Sequence, residues 1–453
     1  MKVNFNPLLI FLVLLFASCE MHNDEVPADP ESVSSSSSQM QFSSIELDTR
    51  VVTNSRRPKE GHYIVILNEG TFGNLKEASN VRDRVKKGGQ KNAYFSKIKK
   101  IKDQINLSNE LQFGFDNNAI QNVYSFAFEG FSAHLSKKEV AKLRKDPRVA
   151  HIIQDQIISL AKPSVEGAAT SSSQEIPWGI TRVGGSGDGT GKTAWVIDSG
   201  IDMDHPDLNV DGDRSISFVT GDDSPDDANG HGTHVAGTIA AIDNDFGVVG
   251  VAAGASVVSL RVLGSDGTGD FSWTVAALDY IAANGDAGDV VNMSLGPETP
   301  FIDPATDAAT MNLASLGVKI AIAAGNSYDD SDLYTPAHNN HQNIYTISAL
   351  AEGDFFVYFS NYGSPVDYIA PGFQVKSTWP GGGYNTISGT SMASPHVAGI
   401  LLLGNPTADG FASDAYWEVK GRRATGNYSE TDIFKRSVYR PDPDGIQEPI
   451  AHR

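Results

Sequence analysis

Four polar residues, far apart in the chain, stand where their side chains could do chemistry together. Asp198 closes the apolar run in Trp195-Val-Ile-Asp-Ser-Gly200. A carboxylate at a strand end is partly buried and needs a donor, for which an imidazole is a natural partner. His231 stands in Asn229-Gly-His-Gly-Thr-His-Val-Ala-Gly-Thr238, at the start of a helix whose glycines permit close approach of backbone and substrate. Ser391 stands in Ser388-Gly-Thr-Ser-Met-Ala-Ser-Pro-His-Val-Ala-Gly399, also at a helix start. Its N–H and the helix dipole would face any negative charge that develops beside it. Singly, these are a turn aspartate, a packed histidine and a capping serine. Together, in the order Asp, His, Ser, they form an orienter, a general base and a nucleophile for acyl transfer. Asn326, ending Ala323-Ala-Gly-Asn326, supplies the part still missing, a side-chain amide for the oxyanion that nucleophilic attack creates.

The elements that must position these residues are legible as a pattern. Four apolar segments read as buried parallel strands: Thr193 to Ile197, Val257 to Val262, Asp289 to Met293 and Lys319 to Ala323. Helical patterns fall between them at Thr233 to Ala241, Ser272 to Ala283 and Pro304 to Ser315. The alternation predicts an α/β fold, a doubly wound, mainly parallel sheet with helices on both faces and right-handed crossovers. Ligands of such sheets bind beyond the carboxyl ends of the strands, and the polar residues cluster there.

The whole chain has 453 residues, 35 basic and 55 acidic, and a single cysteine, Cys19. A disulfide scaffold is excluded, and a net charge of −20 argues against nucleic acid as the main partner. The charge is unevenly spread. Residues 51–160 carry 19 basic against 11 acidic side chains, and residues 174–453 carry 13 against 36. A basic module thus precedes an acidic one, and the split predicts mutual attraction.

At the N-terminus, Lys2 precedes an apolar run from Pro7 to Phe16, too short to span a bilayer of about 30 Å. It reads as a cleaved export signal over residues 1–18. The ending Ala17-Ser18-Cys19 resembles the lipobox of bacterial lipoproteins, which implies lipidation of Cys19; Phe16 departs from the usual aliphatic residue. An ordinary secretory signal with a chance cysteine is the alternative. Residues 19–60, serine-rich at Ser34 to Ser38, read as a flexible tether.

Residues 61–160 have their own pattern. Tyr63-Ile-Val-Ile-Leu67 is a short strand, Leu75 to Ile105 has helical potential, and Asn122 to Phe128 alternates like a half-buried strand. Ser136 and Glu139 form a capping box, Asp146-Pro147 closes that helix, and a strand follows from Arg148 to Ile153. Two helices on one face of a four-stranded antiparallel sheet, a small α+β ferredoxin-like unit, is the economical solution.

This module resembles the inhibitory propeptide of subtilisin-like proteases in Tyr63-Ile-Val-Ile-Leu67, Gly130-Phe-Ser-Ala-His-Leu135 and Arg148-Val-Ala-His-Ile-Ile-Gln-Asp155. The resemblance implies a folding chaperone whose C-terminal strand lies in the active-site cleft until it is cut away. Residues 161–173 are then the linker with the processing site, cut after Leu160 or near Ser173. Residues 174–400 resemble the subtilisin-like serine proteases almost throughout. The resemblance implies a catalytic domain over 174–453 and a serine endopeptidase made as a self-inhibited zymogen. It makes Asp198 the orienter, His231 the general base and then acid, Ser391 the nucleophile and Asn326 an oxyanion donor. It further implies that an extended substrate pairs between Gly267-Thr268-Gly269 and Ser294-Leu295-Gly296, as a case of strand addition. Phe271 and Leu295 would line the pocket four residues before the scissile bond. Gly296, Ala323, Ala324 and Gly325 would wall the pocket just before it. Both pockets would favour apolar side chains. A structural calcium is implied at Gln174, Asp207 and Asn244 and the carbonyls of Ile242, Phe246 and Val248, an all-oxygen set. The partners implied are polypeptide substrates, the chain's own propeptide and, through the lipid, a membrane, with the enzyme a monomer in the cell envelope.

Some matches fail and some segments depart. His231-Gly-Thr-His234 lacks metalloprotease spacing, so His234 reads as a packed helix residue. Gly191-Lys-Thr193 precedes a strand where a phosphate loop would precede a helix. Gly389-Thr-Ser-Met-Ala393 is not the esterase elbow. The acidic Ser327-Tyr-Asp-Asp-Ser-Asp332 departs from the family and leaves a preference for basic side chains open. After Leu403 the resemblance thins. The competing reading is a non-catalytic binding lipoprotein on a protease fold.

Overall fold

The computed structural model describes residues 58–73, 90–107, 113, 115, 119–160, 166–169, 173–413, 444 and 447–453. The export signal, Cys19, the serine-rich tether, the helical expectation over 75–89 and most of the tail after Trp417 lie outside the described residues.

The N-terminal module is built from β1 (Pro58–Leu67), α1 (Gln90–Leu107), β2 (Ile120–Tyr124), β3 (Gly130–His134), α2 (Lys137–Leu143) and β4 (Val149–Ser159). Its strands lie in the order β4-β1-β3-β2, each pair antiparallel. Helix α1 keeps Tyr94, Ile101 and Ile105 buried, one face at helical spacing. At α2 both halves of the capping box form: Glu139 N–H donates to Ser136 Oγ at 3.3 Å, and Ser136 N–H donates to Glu139 Oε2 at 2.7 Å. The strand expected over Asn122 to Phe128 stops at Tyr124. Its continuation is bent because the N–H groups of Ser125, Phe126 and Ala127 all turn to the carboxylate of Asp279, at 2.9, 2.6 and 2.7 Å. The strand expected over Arg148 to Ile153 runs six residues further, to Ser159, because its end pairs with the second module.

That second module is organised around a large sheet. Its elements in chain order are β5 (Glu166–Ala169), β6 (Thr193–Asp198), α3 (His231–Ala240), β7 (Ser256–Arg261), β8 (Thr268–Asp270), α4 (Phe271–Asn284), β9 (Val290–Met293), α5 (Pro304–Ser315), β10 (Lys319–Ala323), β11 (Ile344–Ala351), β12 (Val366–Pro371), β13 (Gly383–Ile387), α6 (Thr390–Leu403), β14 (Thr407–Phe411) and β15 (Pro449–His452), among shorter pieces. The parallel strands run in the order β15-β12-β11-β10-β9-β6-β7. The four expected strands are present to within a residue of their expected ends, and they are continuously apolar because both faces of the sheet are covered. Val196, Val257, Val290 and Ala321 share a core with Val235, Ile239, Val397 and Ile400 of α3 and α6. The tail has a place: β15 joins the sheet edge beside β12, Ile450 opposite Ile369, with β14 antiparallel to it. Arg453 N–H reaches the Val183 carbonyl at 2.8 Å.

The two modules meet on α4. Strand β8 extends the N-terminal sheet, pairing antiparallel with β4, so one five-stranded sheet crosses the junction. Lys59 pairs with Asp270 across it. Tyr124 Oη donates to the Ser272 carbonyl at 3.0 Å, and Tyr94 Oη to Asp279 Oδ2 at 3.0 Å. The charge split thus has a local counterpart in Lys59–Asp270. Asp279 is satisfied instead by neutral donors.

Candidate active site

Strand β6 delivers Asp198 to its carboxyl end, fully buried, where Oδ1 accepts the Ser199 N–H at 2.7 Å. His231 begins α3, and its Nδ1 lies 2.8 and 3.0 Å from the two Asp198 oxygens. The close approach depends on Gly232: a Cβ there would stand 2.0 Å from the Gly200 carbonyl oxygen and 3.1 Å from Asp198 Cβ. At Gly230 the left-handed backbone, φ 112°, and the Trp379 ring 2.3 Å from any Cβ both require glycine.

A residue the sequence reading passed over holds this turn. The buried carboxylate of Asp227 accepts the N–H groups of Asn229, Gly230 and Thr233 and the hydroxyls of Thr233 and Ser199, at 2.6 to 2.9 Å. Burial pushes its pKa up, against these donors. Its only sequence signal is a position four residues before His231, in a loop otherwise read as solvated.

Ser391 lies in the first turn of α6 and is 6% exposed. A buried network fixes that turn to β9: Ser394 Oγ donates to Asn292 Oδ1 at 2.8 Å, Asn292 Nδ2 to Ser294 Oγ at 2.8 Å, and Ser294 Oγ to the Ser391 carbonyl at 2.9 Å. The Ser391 hydroxyl donates to the Ser294 carbonyl at 3.3 Å and not to His231, so the expected serine–imidazole hydrogen bond is not formed in this state. Such bonds are often long before substrate is engaged. Asn326 accepts Thr390 N–H and Oγ–H on its Oδ1, at 2.8 and 2.9 Å, which leaves its Nδ2 as the donor available to the cleft. Asn326, Ser391 and the first-turn N–H of α6 therefore border one cavity.

That cavity, about 250 Å³, is lined by the Ser294–Gly296 and Ala323–Gly325 walls, with Tyr334 to Ala337 between them and Ser159 and Leu160 of the N-terminal module. Strand β4 fills the groove beside it. Ile158 faces Gly269, Ser159 faces Thr268, Ser159 N–H donates to Gly296 O at 3.2 Å, and Leu160 N–H donates to Gly267 O at 2.9 Å. Leu295 lines the cavity; Phe271, at the start of α4, is fully buried with its ring 5.7 Å from that of Phe301. Two of the three acids after Asn326 are engaged elsewhere. Asp329 accepts the Tyr334 hydroxyl at 2.9 Å and Asp330 caps a 3-10 turn through Asp332 N–H. The carboxylate residue on the cavity lining is Glu298, which is exposed.

His234, fully buried, donates its Nε2–H to the Val375 carbonyl, 2.9 Å away, and burial pushes its pKa down to about 3. It is a packed residue, as the sequence predicts.

The proposed calcium residues converge. Asp207 is fully buried; it accepts Asn244 Nδ2 at 2.8 Å, Val248 N–H at 3.0 Å and Tyr384 Oη at 3.2 Å, and burial raises its pKa. Gln174 Nε2 meets the Ile242 carbonyl at 2.9 Å, and Gln174 and Glu175 N–H meet the carbonyls of Asp245 and Gly247. Turning over the two amides would direct their oxygens inward. Among the described residues no cluster of three His, Cys, Asp or Glu side chains could hold a metal, so a cation here would rely on carbonyl and amide oxygens, a donor set that fits calcium.

Residues 189–415 match the subtilase family and residues 62–161 match the peptidase inhibitor I9 family. The chain is 41% identical over 298 residues to alkaline serine exoprotease A of Vibrio alginolyticus, covering 63% of this chain and 53% of that protein. It is 40% identical over 280 residues to M-protease of Shouchella clausii, covering 60% and 68%. A solved cold adapted subtilisin-like serine proteinase is 43% identical, with a TM-score of 0.43, over 48% of this chain and 76% of that one. The chain belongs to the subtilase family of serine endopeptidases, with an inhibitor I9 propeptide ahead of the catalytic domain.

Proposed function

We propose that this chain hydrolyses peptide bonds through an acyl-enzyme on Ser391, with His231 as base and then acid, Asp198 holding the imidazole, and Asn326 Nδ2 with Ser391 N–H receiving the oxyanion. The observation that carries the reading is that the N-terminal module lays an extended strand, β4, between Gly267–Gly269 and Gly296, ending at a cavity bordered by Ser391 and Asn326. A polypeptide is thereby bound as substrate would be, by backbone pairing that is indifferent to sequence. The cavity walls favour apolar side chains, with Glu298 at the lining as the group that would tolerate a basic one. Hydrolysis of an internally quenched peptide by the matured chain, lost in Ser391→Ala, tests the reading; equal turnover by that variant contradicts it.

Calcium bound by Gln174, Asp207, Asn244 and the carbonyls of Ile242, Phe246 and Val248 would neutralise the buried Asp207 and tie the mature N-terminus to the loop after α3. We further propose that the protein is exported and held in the cell envelope by lipid on Cys19, acting as a monomer, since one chain supplies every residue of the site. Incorporation of labelled palmitate, lost in Cys19→Ser, tests the anchor.

A further inference from the structure

The wall of the cavity from Tyr334 to Ala337 is held from behind by a group outside the cleft. Thr335, fully buried, uses its hydroxyl twice: Oγ accepts the Asp303 N–H at 2.9 Å and donates to Asp307 Oδ1 at 2.9 Å. A hydroxyl has one proton, and with the Asp303 N–H as donor that proton goes to Asp307. Asn339 Nδ2 donates to the same Asp307 oxygen at 2.9 Å and to the Pro336 carbonyl at 3.0 Å. His338 Nε2 lies 2.9 Å from the other oxygen, Oδ2. Three residues in or directly after the wall thus converge on one carboxylate. Asp307 is itself fixed by α5. It stands in the first turn, where the helix dipole favours a negative charge, and its N–H donates to the carbonyl of the capping residue Asp303 at 3.1 Å.

The position of this wall matters because it faces the residue that pairs with a bound strand. Gly296 is bridged to Ser159 of β4, and a Cβ built on Gly296 would stand 3.4 Å from the Thr335 carbonyl oxygen. The space between the two sides at this edge therefore fits a single carbon atom, and a small outward shift of Thr335 widens it. Leu160 reaches the same lining, so a leucine side chain comes within range of the wall. Taken with the serine endopeptidase reading above, these contacts give Asp307 a part in the reaction. We propose that Asp307 is a positioning residue for side-chain selection: through Thr335 and Asn339 it fixes the Tyr334–Ala337 wall opposite Gly296 and so sets how tightly a branched apolar side chain packs beside the cut bond. Asp307 lies behind the wall and acts only through it.

The test gives the mature enzyme two internally quenched peptides that differ only in the residue before the cut bond, leucine or alanine. The leucine side chain packs on the wall, and the alanine side chain stops short of it. Asp307→Ala is expected to lower kcat/KM for the leucine peptide about fivefold or more, mostly through KM, and to leave the alanine peptide within about twofold of wild type. Equal losses on both peptides, the mark of a general disturbance of the fold, overturn the proposal, and so does an unchanged leucine-to-alanine ratio.

Variants of Thr335 check the route. Thr335→Ser keeps the hydroxyl and is expected to keep the leucine preference, whereas Thr335→Val removes the hydroxyl and lowers that preference as Asp307→Ala does. Because both changes break the same contact, the losses in the double variant should fall well short of their sum. Fully additive losses, or a preference that survives in Thr335→Val, overturn the proposal and leave the peptidase reading standing. Cleavage of neither peptide by the wild-type enzyme, or equal cleavage of both by Ser391→Ala, overturns the peptidase reading itself.

Discussion

Asp279 gives the sharpest handle on how the propeptide is held. Its carboxylate accepts three consecutive backbone N–H groups, from Ser125, Phe126 and Ala127, together with the Tyr94 hydroxyl, and all four donors come from the N-terminal module. None of them touches the catalytic groups. Replacing Asp279 by Ala strands these buried donors. A hydrogen bond to a charged acceptor contributes about 1.5–3 kcal/mol net, and breaking a buried charged site costs about 3–5 kcal/mol. Water entering the space left by the side chain would recover part of this, so the expected loss is about 3 kcal/mol, roughly a hundredfold in the inhibition constant. The assay titrates one preparation of the 51–160 segment against mature wild-type and Asp279→Ala enzymes. Any cost of ordering the free propeptide is common to both and cancels in the ratio. Peptide hydrolysis without propeptide should be unchanged. Inhibition within threefold of wild type would refute the reasoning and shift the binding to the β4–β8 pairing.

Buried carboxylates at this junction predict a pH dependence. Burial raises Asp279 to about 6 from an ordinary 3.8, and likewise Asp155, which accepts the Ser272 N–H across the junction at 3.2 Å. Groups raised in the complex favour it when protonated, so propeptide binding to Ser391→Ala enzyme should be strongest below pH 4, weaken as pH climbs to between 6 and 7, and then level off. Asp279→Asn should flatten that slope; an unchanged slope contradicts the assignment. Asn326→Ala should lower kcat about 10²–10³-fold, the order found on removing such a donor from a subtilisin, with KM little changed; a matching rise in KM would mean a binding role. Chelation of calcium should lower the thermal midpoint of the mature enzyme, and Asn244→Ala should shrink that difference; insensitivity to both contradicts the cation site.

The residues proposed as catalytic were legible because each sits in a local signal. A strand ends at Asp198, and helices open at His231 and Ser391 with glycines that permit close approach. Boundaries of the parallel strands followed from continuous apolar runs such as Lys319–Ala323. What escaped depends on contacts remote in sequence. Asn122 to Phe128 alternates as a strand should, yet its second half bends because Asp279, some 150 residues on, claims its N–H groups. Asp227 reads as one acid among several in a polar loop until its five donors are seen. The tail has no periodicity of its own, since β15 is defined by the sheet edge at β12 that it covers. The acidic stretch after Asn326 left a basic specificity open, and two of its carboxylates, Asp330 and Asp329, respectively cap a 3-10 turn and accept the Tyr334 hydroxyl.

The account rests on Ser391 being an activated nucleophile beside His231 and Asp198. Treating the mature enzyme with a serine-reactive fluorophosphonate and mapping the adduct by peptide mass tests this directly. One adduct on Ser391 is predicted, formed far more slowly in His231→Ala and absent in Ser391→Ala. An unlabelled wild-type enzyme, or an adduct on another residue with Ser391 untouched, would contradict it.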